Sequence, residues 1–236
     1  MSVPLIVTWY ITGLQALVRL LLVQARSDRL AGLNTAGFVS GYRGSPLGGF
    51  DRELWRAQKL LDDARVKFQP GLNEDLAATS IWGTQQANLF AGARYDGVFS
   101  MWYGKGPGVD RSGDALKHGN AAGSSAHGGV LVVAGDDHTC KSSSLPHQSE
   151  YAFIDAMIPV LNPADVQEVV EFGLLGFALS RFSGCWAALK VTQETADATQ
   201  TIVAPTDGLS IVTPEFDMPP GGLNIRWPDP PDCESR

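Results

Sequence analysis

Apolar residues near the start of the chain recur at the spacing of one helix face. The residues that follow this pattern are Leu14, Leu17, Val18, Leu21 and Leu22. Polar residues such as Gln15 and Arg19 stand between them, so the pattern predicts an amphipathic helix. Thr12 is placed to cap its first turn, and Gly32 is placed to end it.

Short apolar runs alternate with further helical patterns along the rest of the chain. Strands are expected at residues 36–40, 65–68, 98–103, 129–135, 157–161 and 186–192. Helices are expected at residues 54–61, 74–93, 114–120 and 163–181, the last with a proline near its start. This alternation predicts an α/β fold, a mostly parallel sheet with helices on both faces. Ligands of such sheets bind where the strands end, at their carboxyl edge.

The composition is that of an ordinary globular protein. Of 236 residues, 44% are hydrophobic and 18% are charged, which excludes disorder across the whole chain. The formal net charge of −7 argues against a general nucleic-acid binder, because neutralising phosphates requires clustered Lys and Arg. We therefore expect no nucleic-acid partner.

The first residues are apolar but do not match an export signal or a membrane span. Residues 3–18 carry no charge, yet Pro4 and Gly13 interrupt the run and no basic residue precedes it. The run is also shorter than a membrane helix needs. A buried strand followed by the helix is the simpler interpretation, so we expect cytoplasmic localisation and no membrane partner.

The three cysteines do not predict a metal or disulfide framework. Cys140, Cys185 and Cys233 are widely separated, and the chain has no Cys-x-x-Cys pair. An iron–sulfur or zinc site made by this chain alone is therefore not expected. A disulfide framework is not expected either, since domains of this size rarely need one.

Glycine and proline are distributed unevenly. Of 26 glycines, 17 lie between residues 41 and 135, and seven of 14 prolines lie from residue 205 onward. Residues 206–236 also carry six acidic residues against two arginines. We expect one domain over residues 1–205 and a Pro-rich acidic connector, truncated, over residues 206–236.

The glycine-rich segment GKGPG at residues 104–108 follows a predicted strand but is not a nucleotide-binding loop. A dinucleotide fingerprint would need glycine where Val109 stands, and no Gly-x-x-x-x-Gly-Lys-Ser/Thr phosphate loop occurs. Two interpretations stay open. The segment is a tight turn that lets a helix approach the sheet, or it brings the backbone close to another ligand.

Two acidic residues and a histidine follow the most apolar strand. Burying Asp136 and Asp137 beside His138 is costly without partners, which favours a functional role over capping of the next turn. A metal site is not predicted here, because neighbours in sequence point in different directions. The Gly-Asp-Gly…Asn pattern that holds Mg²⁺ in thiamine diphosphate enzymes is matched only in part by Asp136 and Asn162, since Asp137 replaces its second glycine.

Glu74 is at the N-terminus of a predicted helix rich in small residues. A carboxylate there is either a favourable partner of the helix dipole or a ligand contact. Ala77, Ala78, Ser80 and Gly83 follow it, which indicates that something packs closely against this helix. Both interpretations stay open on the residues alone.

The other polar residues carry weaker signals. His118, His127 and His147 are isolated, and a lone histidine is most often a satisfied surface or core residue. The chain has no Gly-x-Ser-x-Gly elbow, so acyl transfer by a serine nucleophile has little support.

Four motifs in order resemble a known family. They are GYRGSPLGGFD at 41–51, NED at 73–75, YGKGPGVDR at 103–111 and GDDHTCKSS at 135–143. Together they resemble the N-terminal thiamine diphosphate domain of indolepyruvate:ferredoxin oxidoreductase, in the 2-oxoacid:ferredoxin oxidoreductase superfamily. The resemblance runs from about residue 12 to about residue 228.

The resemblance implies a thiamine diphosphate-binding fold of the pyrimidine type. It implies oxidative decarboxylation of a 2-oxoacid, an aryl-pyruvate such as indolepyruvate, to an acyl-coenzyme A with transfer of electrons to ferredoxin. The diphosphate and Mg²⁺ half-site, the iron–sulfur cluster and the coenzyme A site would lie on other domains or subunits. We therefore expect a homodimer or hetero-oligomer, and an isolated chain without activity.

The resemblance also implies roles for single residues. Glu74 would be the catalytic group, hydrogen-bonded to the aminopyrimidine ring. The other expected cofactor-binding residues are Gly44, Ser45, Pro46, Gly106 and Gly108. By their position at the strand ends, the residues expected to contact substrate or shape its pocket are Arg43, Ser45, Asp136, Asp137 and His138. Arg43 would pair with the substrate carboxylate, and no residue is expected to bind a metal.

Two other functions stay open. The chain would be a non-catalytic binding or assembly module that pairs with a longer relative, or the half-subunit of another thiamine diphosphate decarboxylase. Cofactor binding separates the first alternative from an enzyme component. Activity without a ferredoxin or iron–sulfur partner separates the second.

Overall fold

A computed structural model describes residues 7–205, 208–215 and 217. The strands are β1 (Thr8–Thr12), β2 (Thr35–Gly41), β3 (Val66–Phe68), β4 (Gly97–Lys105), β5 (Val130–Asp136), β6 (Val160–Leu161), β7 (Ala187–Thr192) and β8 (Thr199–Val203). The α-helices are α1 (Gly13–Leu30), α2 (Phe50–Arg56), α3 (Gln58–Asp63), α4 (Glu74–Gln86), α5 (Gly106–Arg111), α6 (Gly113–Ala122), α7 (Glu150–Asp155), α8 (Val166–Ser183) and α9 (Gln193–Asp197). A 3₁₀ turn, Ala87–Leu89, follows α4.

Six strands form one parallel sheet in the order β3-β2-β4-β5-β7-β6, and β1 pairs with β8 in a separate antiparallel ribbon. The register places Gly41 beside Tyr103, Lys105 beside Gly135, and Asp136 beside Thr192. The carboxyl ends of β2, β4, β5 and β7 therefore lie along one edge. The predicted α/β class with a mostly parallel sheet is confirmed.

The two faces of the sheet carry separate cores. Along β5, Leu131 and Val133 join one hydrophobic cluster, whereas Val130 and Val132 join the other, as the two-residue period of a strand requires. Helices α1, α2, α3 and α8 cover the first face, and α4, α6 and α7 cover the second. All seven residues of β5 are buried, which explains its continuous apolar run.

The first helix begins and ends close to the predicted residues. Thr12 and Gln15 cap each other's backbone in a reciprocal capping box. Gly32 follows the helix with a positive φ of 77°, a conformation that glycine adopts without a Cβ penalty.

Several predicted boundaries differ from the structure. The helix predicted at 54–61 is two short helices that meet at Ala57. The helix predicted at 74–93 ends at Gln86, where the chain passes into the 3₁₀ turn; Asn88 in that turn donates its side-chain amide to the Tyr95 carbonyl. Helix α8 begins after Asp165, which caps it, so Pro163 precedes the helix.

Other elements were shorter than predicted or were missed. Of the strand predicted at 157–161, only Val160–Leu161 (β6) pairs with the sheet. Met157 has a positive φ of 55°, which is not a strand conformation. Three short helices, α5, α7 and α9, and strand β8 have no predicted counterpart. Among the described residues, no helix is long and apolar enough to cross a membrane.

The predicted connector at 206–236 lies mostly outside the described residues. The part that is described, 208–215 and 217, contains no helix or strand. The backbone of Gly208 donates to the Pro205 carbonyl. The boundary between the two predicted segments stays a prediction.

Candidate functional site

The candidate site lies at the carboxyl edge of β2, β4 and β5. The 42–49 loop, the start of α4, helix α5 and the 137–149 loop all leave this edge of the sheet. The Gly71 amide donates to the Gly41 carbonyl at 2.8 Å, which brings the start of α4 to the end of β2. Four segments distant in sequence therefore meet in one place.

Glu74 is the first residue of α4. Asn73 caps the helix by accepting a hydrogen bond from the Leu76 amide at 2.8 Å. The indole Nε1 of Trp102, a fully buried residue of β4, donates to the Glu74 carbonyl at 2.9 Å. The backbone that carries the Glu74 carboxylate is thus fixed both by its own helix and by the core of the sheet.

The Glu74 side chain lies against Gly108. A Cβ built on Gly108 would stand 2.5 Å from Glu74 Cγ and 2.8 Å from its Oε1, so only glycine leaves this space. Within the described part of the chain, no hydrogen bond to the Glu74 carboxylate is present, and the residue is half-buried. A carboxylate held in place but not engaged can bind a ligand.

The GKGPG segment begins a short helix, which supports the first of its two interpretations. Lys105 precedes α5, and Pro107 stands in its first turn. The close approach at Gly106 and Gly108 is made by the chain's own side chains, those of His147 and Glu74. Their expected role in cofactor binding stays a prediction.

The 42–49 loop presents polar groups beside this edge. Arg43 is exposed, and Ser45 Oγ donates to Gln193 Oε1 at 3.1 Å. The Ser45–Pro46 peptide bond is cis. A Cβ on Gly44 would stand 3.0 Å from Lys105 Cβ, so the loop passes close to the end of β4.

Tyr103, a buried residue, forms hydrogen bonds with residues at both ends of this loop. The Tyr103 hydroxyl donates to Asp51 Oδ1 at 2.6 Å, and the Tyr103 carbonyl accepts from the Tyr42 amide. Burial, together with the hydrogen bond to Asp51, raises the pKa of Tyr103 far above its ordinary value. The phenol therefore stays protonated and keeps donating.

Asp136 faces inward from the end of β5. It is fully buried and accepts hydrogen bonds from the backbone and the hydroxyl of Ser149, with Lys190 Nζ 3.9 Å away. Lys190 in turn pairs with Glu150. Asp136 is thus engaged by Ser149 and lies near Lys190, and its expected role at the substrate pocket stays a prediction.

Asp137 and His138, the next two residues, differ from Asp136 in their surroundings. The Asp137 carboxylate accepts from the amides of Lys141 and Ser142 at 3.0 and 2.9 Å, and from the Ser142 and Ser143 hydroxyls. The Ser142 amide is the main group that lowers the pKa of Asp137. Asp137 thus caps the loop after β5, while His138 is exposed.

No cluster of three or more metal-ligating side chains occurs among residues 7–205, 208–215 and 217. Asn162 follows β6, which is separated from β5 by β7, so it does not share a strand end with Asp136. The two residues of the partial Gly-Asp-Gly…Asn match therefore follow strands that are not neighbours in the sheet.

Two residues at this edge form a contact that the sequence does not predict. His147 Nε2 lies 2.9 Å from Asp110 Oδ2, and a Cβ on Gly106 would stand 2.0 Å from the Nδ1 of the same ring. The histidine was interpreted as isolated because Asp110 is 37 residues away. Only the fold brings the pair together.

Comparison with solved structures adds one finding. The chain is similar in fold to 2-oxoglutarate:ferredoxin oxidoreductase from Magnetococcus marinus, whose structure contains 2-oxoglutarate, coenzyme A and succinyl-coenzyme A. The TM-score is 0.63 at 19% sequence identity, over 89% of this chain and 34% of that one. The chain thus spans about a third of the length of that protein.

The likeness concerns the fold. It agrees with the predicted thiamine diphosphate-binding fold of the pyrimidine type. No family model matches the chain, and no curated protein matches it in sequence.

Proposed function

We propose that this chain is the pyrimidine-binding part of a thiamine diphosphate-dependent 2-oxoacid:ferredoxin oxidoreductase. The observation that carries the proposal is the position of Glu74 at the carboxyl edge of a parallel sheet, on a fixed backbone and with no hydrogen bond to its carboxylate among the described residues. The fold shared with a 2-oxoacid:ferredoxin oxidoreductase supports the same reaction class.

The position of the Glu74 carboxyl group supports binding of an aminopyrimidine. A carboxyl group can hydrogen-bond the ring nitrogen, and Gly108 leaves the space in which that carboxyl group is held. Bound thiamine diphosphate would supply the electron sink for decarboxylation. The role of this chain would be to orient the aminopyrimidine ring and to hold a proton at the Glu74 carboxyl group.

Substrate contacts are proposed for the 42–49 loop. The exposed Arg43 guanidinium would pair with the carboxylate of a 2-oxoacid, and the Ser45 hydroxyl lies on the same loop. His138 would face the substrate from the end of β5, with Asp136 and Asp137 holding the surrounding backbone. The four motifs favour an aryl-pyruvate such as indolepyruvate within this class.

The remaining parts of the reaction belong to other domains or subunits in this proposal. These parts are the diphosphate and Mg²⁺ half-site, the iron–sulfur cluster, the coenzyme A site and the contact with ferredoxin. This chain spans about a third of the length of the similar protein, which supports such a division. Assembly as a homodimer or hetero-oligomer in the cytoplasm is part of the same proposal.

Mapping of ligand contacts by NMR tests the proposal. The ¹⁵N-labelled full chain is titrated with millimolar thiamine diphosphate, and pyrophosphate is the control ligand. We expect shifts at the start of α4, in α5 and in the 42–49 loop with the first ligand and none with the second. Shifts confined to other surfaces, or identical shifts with pyrophosphate, would refute the proposal.

A further inference from the structure

A series of contacts connects the buried end of β5 to helix α5. Asp136 is fully buried and binds both the amide and the hydroxyl of Ser149. These bonds fix the last part of the 137–149 loop to the sheet. His147 stands two residues before Ser149 and is held with it.

The His147 ring lies between the sheet and α5. Its Nε2 is 2.9 Å from Asp110 Oδ2, and its Nδ1 is 3.6 Å from Asp136 Oδ1. The side chain is 16% exposed, so its contacts are mostly with protein. The ring fills the space that any side chain at Gly106 would need.

The other side of the same helix contacts Glu74. Helix α5 has six residues, and Gly106 at its start touches His147 while Gly108 touches Glu74. Outward movement of α5 would therefore remove the wall that confines the Glu74 side chain. The helix is too short to be stable without such contacts.

We infer that His147 is a positioning residue that holds α5 against the Glu74 side chain. It acts through its bond to Asp110 and its packing on Gly106, and among the described residues it forms no hydrogen bond with Glu74. The importance of this role rests on the proposed function, but the contacts themselves belong to the protein without ligand.

Amide hydrogen exchange on the full chain tests the inference without any ligand. The reporters are the Ser112 amide, which donates to the Gly108 carbonyl, and the Ala77 amide, which donates to the Asn73 carbonyl in the first turn of α4. In His147→Ala we expect both amides to exchange about tenfold faster or more, while amides of β5 keep their rates. His147→Gln should restore slow exchange, because its side-chain amide can still donate to Asp110.

The matched control is His118→Ala. His118 is exposed, pairs with Asp114 on its own helix, and stacks on Trp82, which lies eight residues after Glu74 in α4. We expect it to change neither reporter. If His147→Ala lowers the stability of the whole chain but leaves Ala77 no faster than in the control, the inference is wrong.

A second variant decides the case if His147→Ala does not fold. Asp110→Asn keeps the histidine and weakens its charge-assisted bond to α5. We expect faster exchange at Ser112 and at Ala77 in this variant, and unchanged rates at both amides would overturn the inference.

Ligand affinity separates this inference from the proposed function. If the wild-type chain binds thiamine diphosphate, His147→Ala should weaken binding about tenfold and His147→Gln should recover it. Equal affinity in all three proteins would refute the positioning role. If the wild-type chain does not bind thiamine diphosphate, the proposed function fails, while the exchange rates still decide whether His147 holds α5.

Discussion

Gly108 of α5 lies directly against the side chain of Glu74 in α4, with room for no Cβ between them. The two residues are 34 positions apart, and they meet because β4 lies next to β2 in the sheet. A glycine in one element thus determines where a carboxylate of another element can point.

Gly108→Ala should displace the Glu74 side chain. The new methyl group would overlap Glu74 Cγ and Oε1 and displace the carboxylate from its place beside Gly108, at a cost of about 1–3 kcal/mol. We expect thiamine diphosphate binding to be lost while the chain stays folded. Calorimetric titration and thermal unfolding check the two parts separately.

Gly83→Ala is the control for this substitution. Gly83 lies in α4 with nothing within 4 Å of a built Cβ, so alanine there should stabilise the helix by about 0.5–1 kcal/mol. Binding should not change. Equal loss of binding in both variants would mean that the Gly108–Glu74 contact has no special role.

Arg181→Met should destabilise the packing of α1 against α8. Arg181 forms a bidentate ion pair with Asp28, with Nη1–Oδ1 at 2.7 Å and Nη2–Oδ2 at 2.8 Å, and the Asp28 side chain is 4% exposed. Removing the arginine leaves a buried carboxylate unpaired, which costs about 3–5 kcal/mol. Urea unfolding measures this cost.

The double variant Arg181→Met with Asp28→Asn should recover part of that stability. The asparagine carries no charge; its oxygen can accept from the Gln24 amide, and its NH₂ group can donate to the Thr35 hydroxyl, the two groups that bond Asp28. A loss below about 1 kcal/mol in the single variant would show that the ion pair adds little.

Asp137→Asn should destabilise the loop after β5 in a pH-dependent way. The Ser142 amide and its neighbours hold the pKa of Asp137 below its usual value. The carboxylate therefore contributes stability above about pH 4, its unfolded pKa, and loses it as the pH falls through the lower folded pKa. The difference in Tm between wild type and variant should be largest at pH 7 and shrink in acid, and a constant difference would contradict the account.

Tyr103 should resist ionisation. Its buried hydroxyl donates to Asp51, and its pKa lies far above the ordinary value near 10. Of the five tyrosines, one fewer should ionise at about pH 11 in the folded chain than in urea, as read from absorbance at 295 nm. Tyr103→Phe should abolish that difference and cost about 1 kcal/mol in stability at pH 7.

The fold was largely predictable because buried apolar positions recur in the sequence with the period of a helix or a strand. The continuous run of β5 and the capping of α1 by Thr12 are local signals, and both were confirmed. Boundaries that depend on distant partners were not predictable. Just after the end of α4, Asn88 bonds the Tyr95 carbonyl, and no periodicity in the sequence predicts that contact.

The candidate site was likewise predictable only where its signals are local in sequence. Glu74 could be singled out because a carboxylate at a helix start has a local physical meaning. Asp136 and Asp137 are adjacent, but one faces the core and the other caps a loop, and only the fold decides which. His147 and Asp110 form a pair through tertiary packing alone, so the sequence held no signal for it.

The affinity of the full chain for thiamine diphosphate, compared between wild type, Glu74→Gln and Asp75→Asn, tests the central claim most directly. Asp75 is the neighbouring carboxylate in the same helical turn, so it controls for charge and helix stability. We expect Glu74→Gln to weaken binding about tenfold or more and Asp75→Asn to leave it unchanged. Equal affinity of wild type and Glu74→Gln would contradict the account.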